Sequence, residues 1–160
     1  MSLKMLKLLT NKYLLLLLRL VLALVFIYAG VEKISDPERF SQSISNYKLL
    51  PVMFVNFFAI VLPWIEVVAG LLLLFGIEVK ENSFILSILL LVFISAIGIS
   101  LARGLNIECG CFGTSSGAMI GFNKLGENLI YLLIAFLLVK FDSDFFSISS
   151  LKKNGLPRDP

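Results

Sequence analysis

The chain has 160 residues, of which 58% are hydrophobic and 16% are charged, and its mean hydropathy is +0.94. A soluble domain has about half apolar and a quarter charged residues, so this composition indicates membrane-spanning helices within one domain. The sequence contains no histidine, which excludes Ser-His and Cys-His catalysis and any haem or zinc site with a histidine ligand. Its net charge of +3 is spread over flanks and tails, so no nucleic-acid partner is expected.

The first predicted span covers residues 14–31 and follows a basic flank. Its length is just enough to cross a hydrocarbon core of about 30 Å. Arg19 interrupts it near the basic end, and we expect its long side chain to reach back to the headgroups. A signal peptide is the rival interpretation, since a basic start, an apolar run and Tyr28-Ala29-Gly30 resemble one.

A short amphipathic helix is predicted after this span. Asp36-Pro37-Glu38 is a helix start, with Asp as N-cap, Pro at the first helical position and Glu in the first turn. Phe40, Ile44 and Tyr47 then recur at helical spacing between polar residues. The helix is too short and too polar to span, so we expect it to lie at the membrane interface.

The second predicted span, residues 52–75, contains Pro63 and, three residues later, Glu66. A carboxyl group at mid-membrane normally faces a bundle interior or a cavity. Two interpretations of Glu66 are left open: it bonds to a neighbouring helix, or it takes part in transport. Residues 78–82 are predicted to form a polar turn, because four of the five are charged or polar and they lie between two apolar runs.

The third predicted span, residues 83–102, ends at Arg103, and the fourth covers residues 122–139. A glycine-containing polar loop joins them, and a polar tail, residues 141–160, follows. The sequence therefore predicts an all-α integral membrane four-helix bundle of residues 1–140 with short, antiparallel connections. The first turns of the last span carry an unusual polar load: Lys124, Glu127 and Asn128.

The distribution of basic residues predicts the orientation. The side that carries both termini would hold Lys4, Lys7, Lys12, Arg19, Lys80, Lys140, Lys152, Lys153 and Arg158. The other side would hold Lys33, Arg39, Lys48, Arg103 and Lys124. This bias predicts cytoplasmic termini in a bacterial inner membrane, with the loop between the last two spans facing the periplasm or the outside.

That loop contains the two cysteines of the chain, Cys109 and Cys111, separated by Gly110. A bent loop places such residues near the limit of disulfide geometry, and glycine permits the bend. A ring this small would contribute only about 1.5 kcal/mol as a staple, so an exchanging redox pair is the favoured interpretation. Unpaired structural cysteines and Cu(I) or zinc binding are the alternatives, although a closed zinc site would need a second chain.

Several polar side chains are candidates to support a reactive thiol. Arg103 and Lys124 border the cysteine loop, Lys33 lies at the same level, and cations favour a thiolate. Each has a plainer explanation: Arg103 and Lys124 would anchor helices at headgroups, and Lys33 would pair with Glu32. Glu127 and Asn128 would either relay protons or, in the plainer interpretation, pair with Lys124.

Five segments, in this order along the chain, resemble the DoxX-like membrane proteins and, among them, the methylamine-utilisation MauE family. They are Tyr28–Ile34, Asp36-Pro37 with Phe40, Asn46–Pro51, Leu62–Glu66 and Cys109–Gly113. The resemblance covers residues 14–140. It implies an inner-membrane protein of four spans that assists disulfide formation in, or maturation of, periplasmic methylamine dehydrogenase.

The resemblance also assigns residues. It makes Cys109 and Cys111 the redox pair and places Lys33 and Glu66 at polar family positions. It suggests quinone as a cofactor, since the wider DoxX group is associated with quinone-linked oxidation of sulfur compounds. The start of the last span departs from the family pattern at Lys124 and Glu127.

Three functions are therefore carried forward. The first is a thiol–disulfide oxidoreductase that acts on a periplasmic thiol or disulfide protein. The second is an assembly protein that binds its partner without catalysis, and the third is a small transporter that uses Glu66. The redox state of the cysteines, and the need for them, distinguishes the three.

Overall fold

The computed structural model describes residues 11–105, 107, 110 and 121–141, and within these ranges the chain forms α-helices and no strand. The helices are α1 (Lys12–Ser35), α2 (Pro37–Asn46), α3 (Val52–Leu74), α4 (Val79–Ala102) and α5 (Phe122–Lys140). Four of them, all except α2, are long and apolar enough to cross a membrane. The predicted all-α membrane bundle is confirmed, whereas Cys109, Cys111 and the C-terminal tail lie outside the described residues.

Helix α1 presents one continuous face to the bundle. Its buried residues recur at helical spacing: Leu15, Arg19, Leu22, Ala23, Phe26, Ala29, Gly30 and Lys33. The expectation that Arg19 reaches the headgroups is wrong, because only 2% of the residue is exposed. It occupies the same stripe as Leu15 and Leu22, so the geometry of the helix directs it inward.

Small residues allow α1 and α3 to pack closely, and these two helices form the most extensive contact in the bundle. A Cβ added to Gly30 would lie 2.6 Å from Val67 Cγ2 and 2.9 Å from the Pro63 carbonyl oxygen. A Cβ added to Gly70 would lie 2.9 Å from Ile27 Cγ1. Such close backbone approach through glycine is how membrane helices gain packing contacts in lipid.

The predicted amphipathic helix is confirmed as α2. Asp36 Oδ1 accepts a hydrogen bond of 3.0 Å from the Arg39 amide, and Pro37 occupies the first helical position. Phe40 and Ser43 face the bundle and are buried. The Ser41 hydroxyl donates to Asn56 Oδ1 at 3.0 Å, which connects α2 to the start of α3.

The predicted polar turn over residues 78–82 is only partly correct, because α4 already begins at Val79. Glu78 precedes it with φ 44°, in the left-handed region. The Asn82 amide group donates to the carbonyl oxygens of Ile77 and Glu78 at 2.9 Å each. Polar residues are suited to a first helical turn, where backbone groups lack helical partners. The polar residues after Glu78 therefore form the first turn of α4 rather than a separate turn.

Two apolar clusters hold the helices together. The larger one joins α1, α3, α4 and α5 through buried residues that include Leu22, Phe26, Leu73, Leu86, Leu90 and Leu138. The smaller one lies around Tyr47 and Ile97, where Phe93 and Leu125 pack against them. The smaller cluster therefore brings the end of α2 together with the end of α4 and the start of α5.

Candidate functional site

The candidate site is built around a buried ion pair between α1 and α3. Lys33 Nζ lies 2.7 Å from Glu66 Oε1 and 2.8 Å from Oε2, and the two side chains are 0% and 1% exposed. The expected alternative, a pair between Lys33 and Glu32, is not what the structure shows. Glu66 does face the bundle interior, as predicted. Its charge is compensated by Lys33, which is 33 positions away in the sequence.

Two aromatic rings complete the surroundings of the Lys33 ammonium group. The centroid of the Phe93 ring lies 4.9 Å from Nζ and that of the Phe40 ring 5.2 Å away. Both distances fall within the range of a cation–π interaction. Four elements thus meet at one cation: α1 supplies it, α3 the carboxylate, and α2 and α4 one ring each.

Gly110, the residue between the two cysteines, packs against α2, whose Phe40 ring lies over the Lys33 ammonium group. It is buried and has φ +62°. A Cβ added there would lie 2.9 Å from Ser43 Cβ, 3.3 Å from Ser43 Oγ and 3.8 Å from Phe40 Cδ2. Phe40 therefore contacts the Lys33 cation and also lies next to the middle residue of the cysteine motif.

Arg103 and Tyr47 connect the ends of α4 and α2. Arg103 follows the last residue of α4, is exposed, and donates from Nη1 to the Tyr47 carbonyl oxygen at 3.3 Å. Burial raises the pKa of the Tyr47 phenol above its ordinary value, so this hydroxyl stays neutral at physiological pH. This contact places Arg103 beside α2 at the same end of the bundle as Gly110.

The polar residues at the start of α5 form a local cluster. Lys124 Nζ lies 2.8 Å from Glu127 Oε2, with the side chains 21% and 45% exposed. The Asn128 amide group donates to the Lys124 carbonyl oxygen at 2.8 Å, and Asn128 is fully buried. The pairing of Lys124 with Glu127 matches the plainer of the two interpretations made from sequence.

The predicted site residues therefore fall into separate groups. Lys33 and Glu66 come together, as do Lys124, Glu127 and Asn128, while Arg103 contacts α2. Cys109 and Cys111 lie outside the described residues. Sequence reasoning missed the contribution of Phe93, which carries no signal beyond an aromatic residue in an apolar span.

No group of three or more cysteine, aspartate or glutamate side chains is placed to bind a metal ion within the described ranges. The polar contacts there include the buried lysine–glutamate pair, the half-exposed pair and several hydroxyl groups. These residues can compensate charge and position neighbouring segments.

The fold and this site define a multi-pass membrane protein with a buried ion pair between two of its spanning helices. In a comparison with known protein families, the family model described as methylamine utilisation protein MauE matches residues 11–141. The chain belongs to the MauE family.

Individual relatives are similar over most of this chain. It is 30% identical over 119 residues to the methylamine utilization protein MauE of Methylorubrum extorquens and to that of Paracoccus denitrificans. Each alignment covers 74% of this chain and 64% of the relative. The corresponding protein of Methylophilus methylotrophus is 34% identical over 93 residues, covering 58% of this chain and 49% of its own.

The alignments thus span less than two thirds of the length of these relatives. No solved structure matches the chain.

Proposed function

We propose that this protein is a membrane-embedded thiol–disulfide exchanger that acts through Cys109 and Cys111 on a protein outside the cytoplasm. The observation that carries the proposal is the burial of Gly110 against Ser43 and Phe40. Successive Cα atoms are about 3.8 Å apart, so each cysteine begins one peptide unit from this contact. The membrane bundle thereby provides a fixed support for a thiol pair at its end.

The exchange itself needs only the two sulfur atoms and a partner's disulfide. One thiolate attacks a sulfur atom of the partner's disulfide, breaks that S–S bond, releases the other partner sulfur as a thiolate and forms a mixed disulfide. The second thiolate then attacks the protein's own sulfur in the mixed disulfide and releases the remaining partner sulfur as a thiolate. One disulfide passes between the two proteins, and the number of electrons is conserved. In the reverse direction the same steps oxidise the partner. A cation near the loop favours the attacking thiolate, and Arg103 and Lys124 are the candidates for this role.

The proposed location is the bacterial inner membrane, with cytoplasmic termini and the Gly110 end outside. The excess of basic residues on the side of the termini supports this orientation. It places the cysteines in the compartment where disulfides persist. The membrane domain in this proposal comprises residues 1–140, and residues 141–160 form a tail on the cytoplasmic side.

The names of the relatives supply the physiological context of the proposal. Proteins similar to this chain are named for methylamine utilisation. We infer that this protein supports that process by assisting a periplasmic partner that acquires disulfides, with methylamine dehydrogenase as the partner that the sequence resemblance implies.

The Lys33–Glu66 pair supports a structural role for Glu66 over a transport role. Both carboxylate oxygens of Glu66 contact one ammonium group, and neither side chain is accessible. A carrier carboxylate must alternate between free and occupied states, whereas this one is neutralised within the protein. The proposal therefore assigns Lys33 and Glu66 to the support of α2 and Gly110.

Trapping of the exchange intermediate tests the proposal. In a thiol–disulfide exchanger, replacement of the resolving cysteine by serine leaves the other cysteine in a mixed disulfide with the partner. We therefore expect Cys109→Ser or Cys111→Ser to yield a reductant-sensitive covalent complex in membranes, and the double variant to yield none. Wild-type protein should show a cysteine pair that alkylates only after reduction, at least in part of the population.

A double serine variant that still supports growth on methylamine would reject the exchanger and favour an assembly protein. Thiols that remain fully free in wild-type cells, with no trapped complex in either single variant, would reject it as well.

A further inference from the structure

An apolar groove lies beneath α2, and the proposed thiol–disulfide exchange does not use it. Its volume is about 590 Å³, within the range of roughly 300–1,000 Å³ that is typical of ligand sites. Helix α2 and the segment after it form one wall, α3 the floor and α4 the other wall. Its lining includes Ile44, Leu50, Phe58, Val92, Ala96 and Ile99.

The polar atoms of the groove offer little to a polar ligand. The Ser43 hydroxyl donates to the Arg39 carbonyl oxygen at 3.0 Å, and the Ser95 hydroxyl donates to the Leu91 carbonyl oxygen at 2.8 Å. Their protons are thus used within their own helices. Among the described residues that line the groove, none carries a charge. The lining therefore selects an apolar chain.

The groove is open along α4. Val92 and Ile99 line it and are 56% and 46% exposed. In a spanning helix such positions face lipid. An apolar chain can consequently enter sideways from the bilayer and needs no path through water.

Two cations lie at the end of the groove nearest the bundle rim. Lys48 is exposed between Tyr47 and Leu49, which both line the groove. Arg103 is exposed one turn beyond Ile99 and donates to the Tyr47 carbonyl oxygen at 3.3 Å. Arginine and lysine are the side chains that bind phosphate groups.

We propose that this groove is a binding site for one anionic phospholipid, with an acyl chain between α2 and α4 and its phosphate between Arg103 and Lys48. The charge of the rim matches a phosphate, and the apolar lining matches a lipid tail. The bound lipid would complete the contact between α2 and α4 and so stabilise the helix against which Gly110 packs. The site uses neither cysteine, and Arg103 is the one of its two cations that it shares with the proposed thiol–disulfide exchange.

Photo-cross-linking in nanodiscs tests the site. The full chain is reconstituted with trace phosphatidylglycerol that carries a diazirine on one acyl chain, in a phosphatidylcholine background. We expect cross-links in peptides from residues 44–50 and 88–99, and unlabelled phosphatidylglycerol should compete better than phosphatidylcholine. A basic side chain near an anionic lipid surface contributes about 1 kcal/mol, which is about five-fold in binding. Arg103→Gln and Lys48→Gln should each reduce labelling by about that factor.

Matched variants separate the groove from general lipid contact. Ala96→Phe fills the groove and should abolish the cross-links there, whereas Ala102→Phe introduces the same ring outside it and should not. Lys80→Gln removes a cation at the opposite end of α4 and should leave labelling unchanged. Circular dichroism of each variant verifies that the helices have formed.

Several outcomes would overturn the proposal. Equal competition by phosphatidylcholine would remove the phosphate contact, and labelling that survives Ala96→Phe would place the lipid elsewhere. Displacement by inorganic phosphate alone would show that the rim binds a free anion. Displacement by a lipid-soluble quinone but not by phosphatidylglycerol would assign the groove to a redox carrier. The Cys109→Ser variant should label like wild type, whatever becomes of the exchange proposal.

Discussion

Two lysine–glutamate pairs in this protein have nearly the same length and very different surroundings. Lys33 and Glu66 join α1 to α3 at 2.7 Å and are buried. Lys124 and Glu127 lie three positions apart on α5 at 2.8 Å and are partly exposed. Exposed pairs contribute about 0–1 kcal/mol, whereas loss of one partner from a buried pair costs roughly 3–5 kcal/mol. Distance alone therefore says little about how much a pair matters.

The buried pair is also a junction between helices, and the exposed pair is not. Lys33 contacts a carboxylate of α3 and lies over rings from α2 and α4. Lys124 contacts a side chain of its own helix. The first pair thus links four helices, one of which, α2, packs against Gly110.

Removal of the Lys33 charge should have the largest effect. Lys33→Met leaves the Glu66 carboxylate buried without its cation, so we expect a loss of roughly 3–5 kcal/mol in the free energy of unfolding. Titration with a denaturing detergent, followed by far-ultraviolet circular dichroism, measures it. The double variant Lys33→Met/Glu66→Leu should recover most of the loss, because it removes both charges together. A single variant as stable as wild type would contradict the importance given to the buried pair.

Closing the space between α1 and α3 should have the next largest effect. A Cβ at Gly30 would meet Val67 Cγ2 at 2.6 Å and the Pro63 carbonyl oxygen at 2.9 Å. Overpacking of this kind costs about 1–3 kcal/mol, and Gly30 lies one turn before Lys33. We expect Gly30→Ala to destabilise the bundle in the same titration.

Gly98→Ala is the matched control for Gly30→Ala. Gly98 is also inside a spanning helix, but nothing lies within 4 Å of an added Cβ. Alanine is favoured over glycine in a helix by about 0.5–1 kcal/mol, so this variant should be neutral or slightly more stable. Equal effects at both glycines would show that helix propensity, and not the close contact, determines the outcome.

Substitution of Gly110 tests whether α2 transmits the position of the junction to the cysteine motif. Gly110 and Gly104 have φ +62° and +66°, so both substitutions by alanine carry a similar backbone cost, about 1–2 kcal/mol. Only Gly110→Ala brings its Cβ against Ser43, since nothing lies within 4 Å of one at Gly104. We expect Gly110→Ala to change the alkylation rate of Cys109 and Cys111, and Gly104→Ala to leave it near the wild-type value.

A second substitution separates the contact with Ser43 from the backbone cost. Ser43→Gly removes the atoms that the new Cβ would meet and should restore the alkylation rate of Gly110→Ala toward wild type. Failure of this rescue would mean that the contact with α2 does not position the motif.

The features that sequence predicted well are local. The start of α2 follows from Asp36-Pro37, because capping depends on a few adjacent residues, and the four spans follow from long apolar runs. The features it missed depend on how helices rotate against one another. Arg19 and Lys33 are fourteen positions apart, close to a whole number of turns at 3.6 residues per turn. That spacing was a signal that both cations share the inward face, but only packing identifies Glu66 as the partner of Lys33.

Removal of the exposed Lys124–Glu127 pair should have the smallest effect on the free energy of unfolding. Lys124→Gln or Glu127→Gln breaks a contact between side chains that are 21% and 45% exposed. Water solvates whichever charge remains, so we expect a change below about 1 kcal/mol in the free energy of unfolding, and less at high salt. The Asn128 bond to the Lys124 carbonyl oxygen uses the backbone and should persist in both variants. If instead Lys124→Gln slowed alkylation of the cysteines while leaving stability unchanged, Lys124 would act on the thiols through its charge, and its pair with Glu127 would compete with that role.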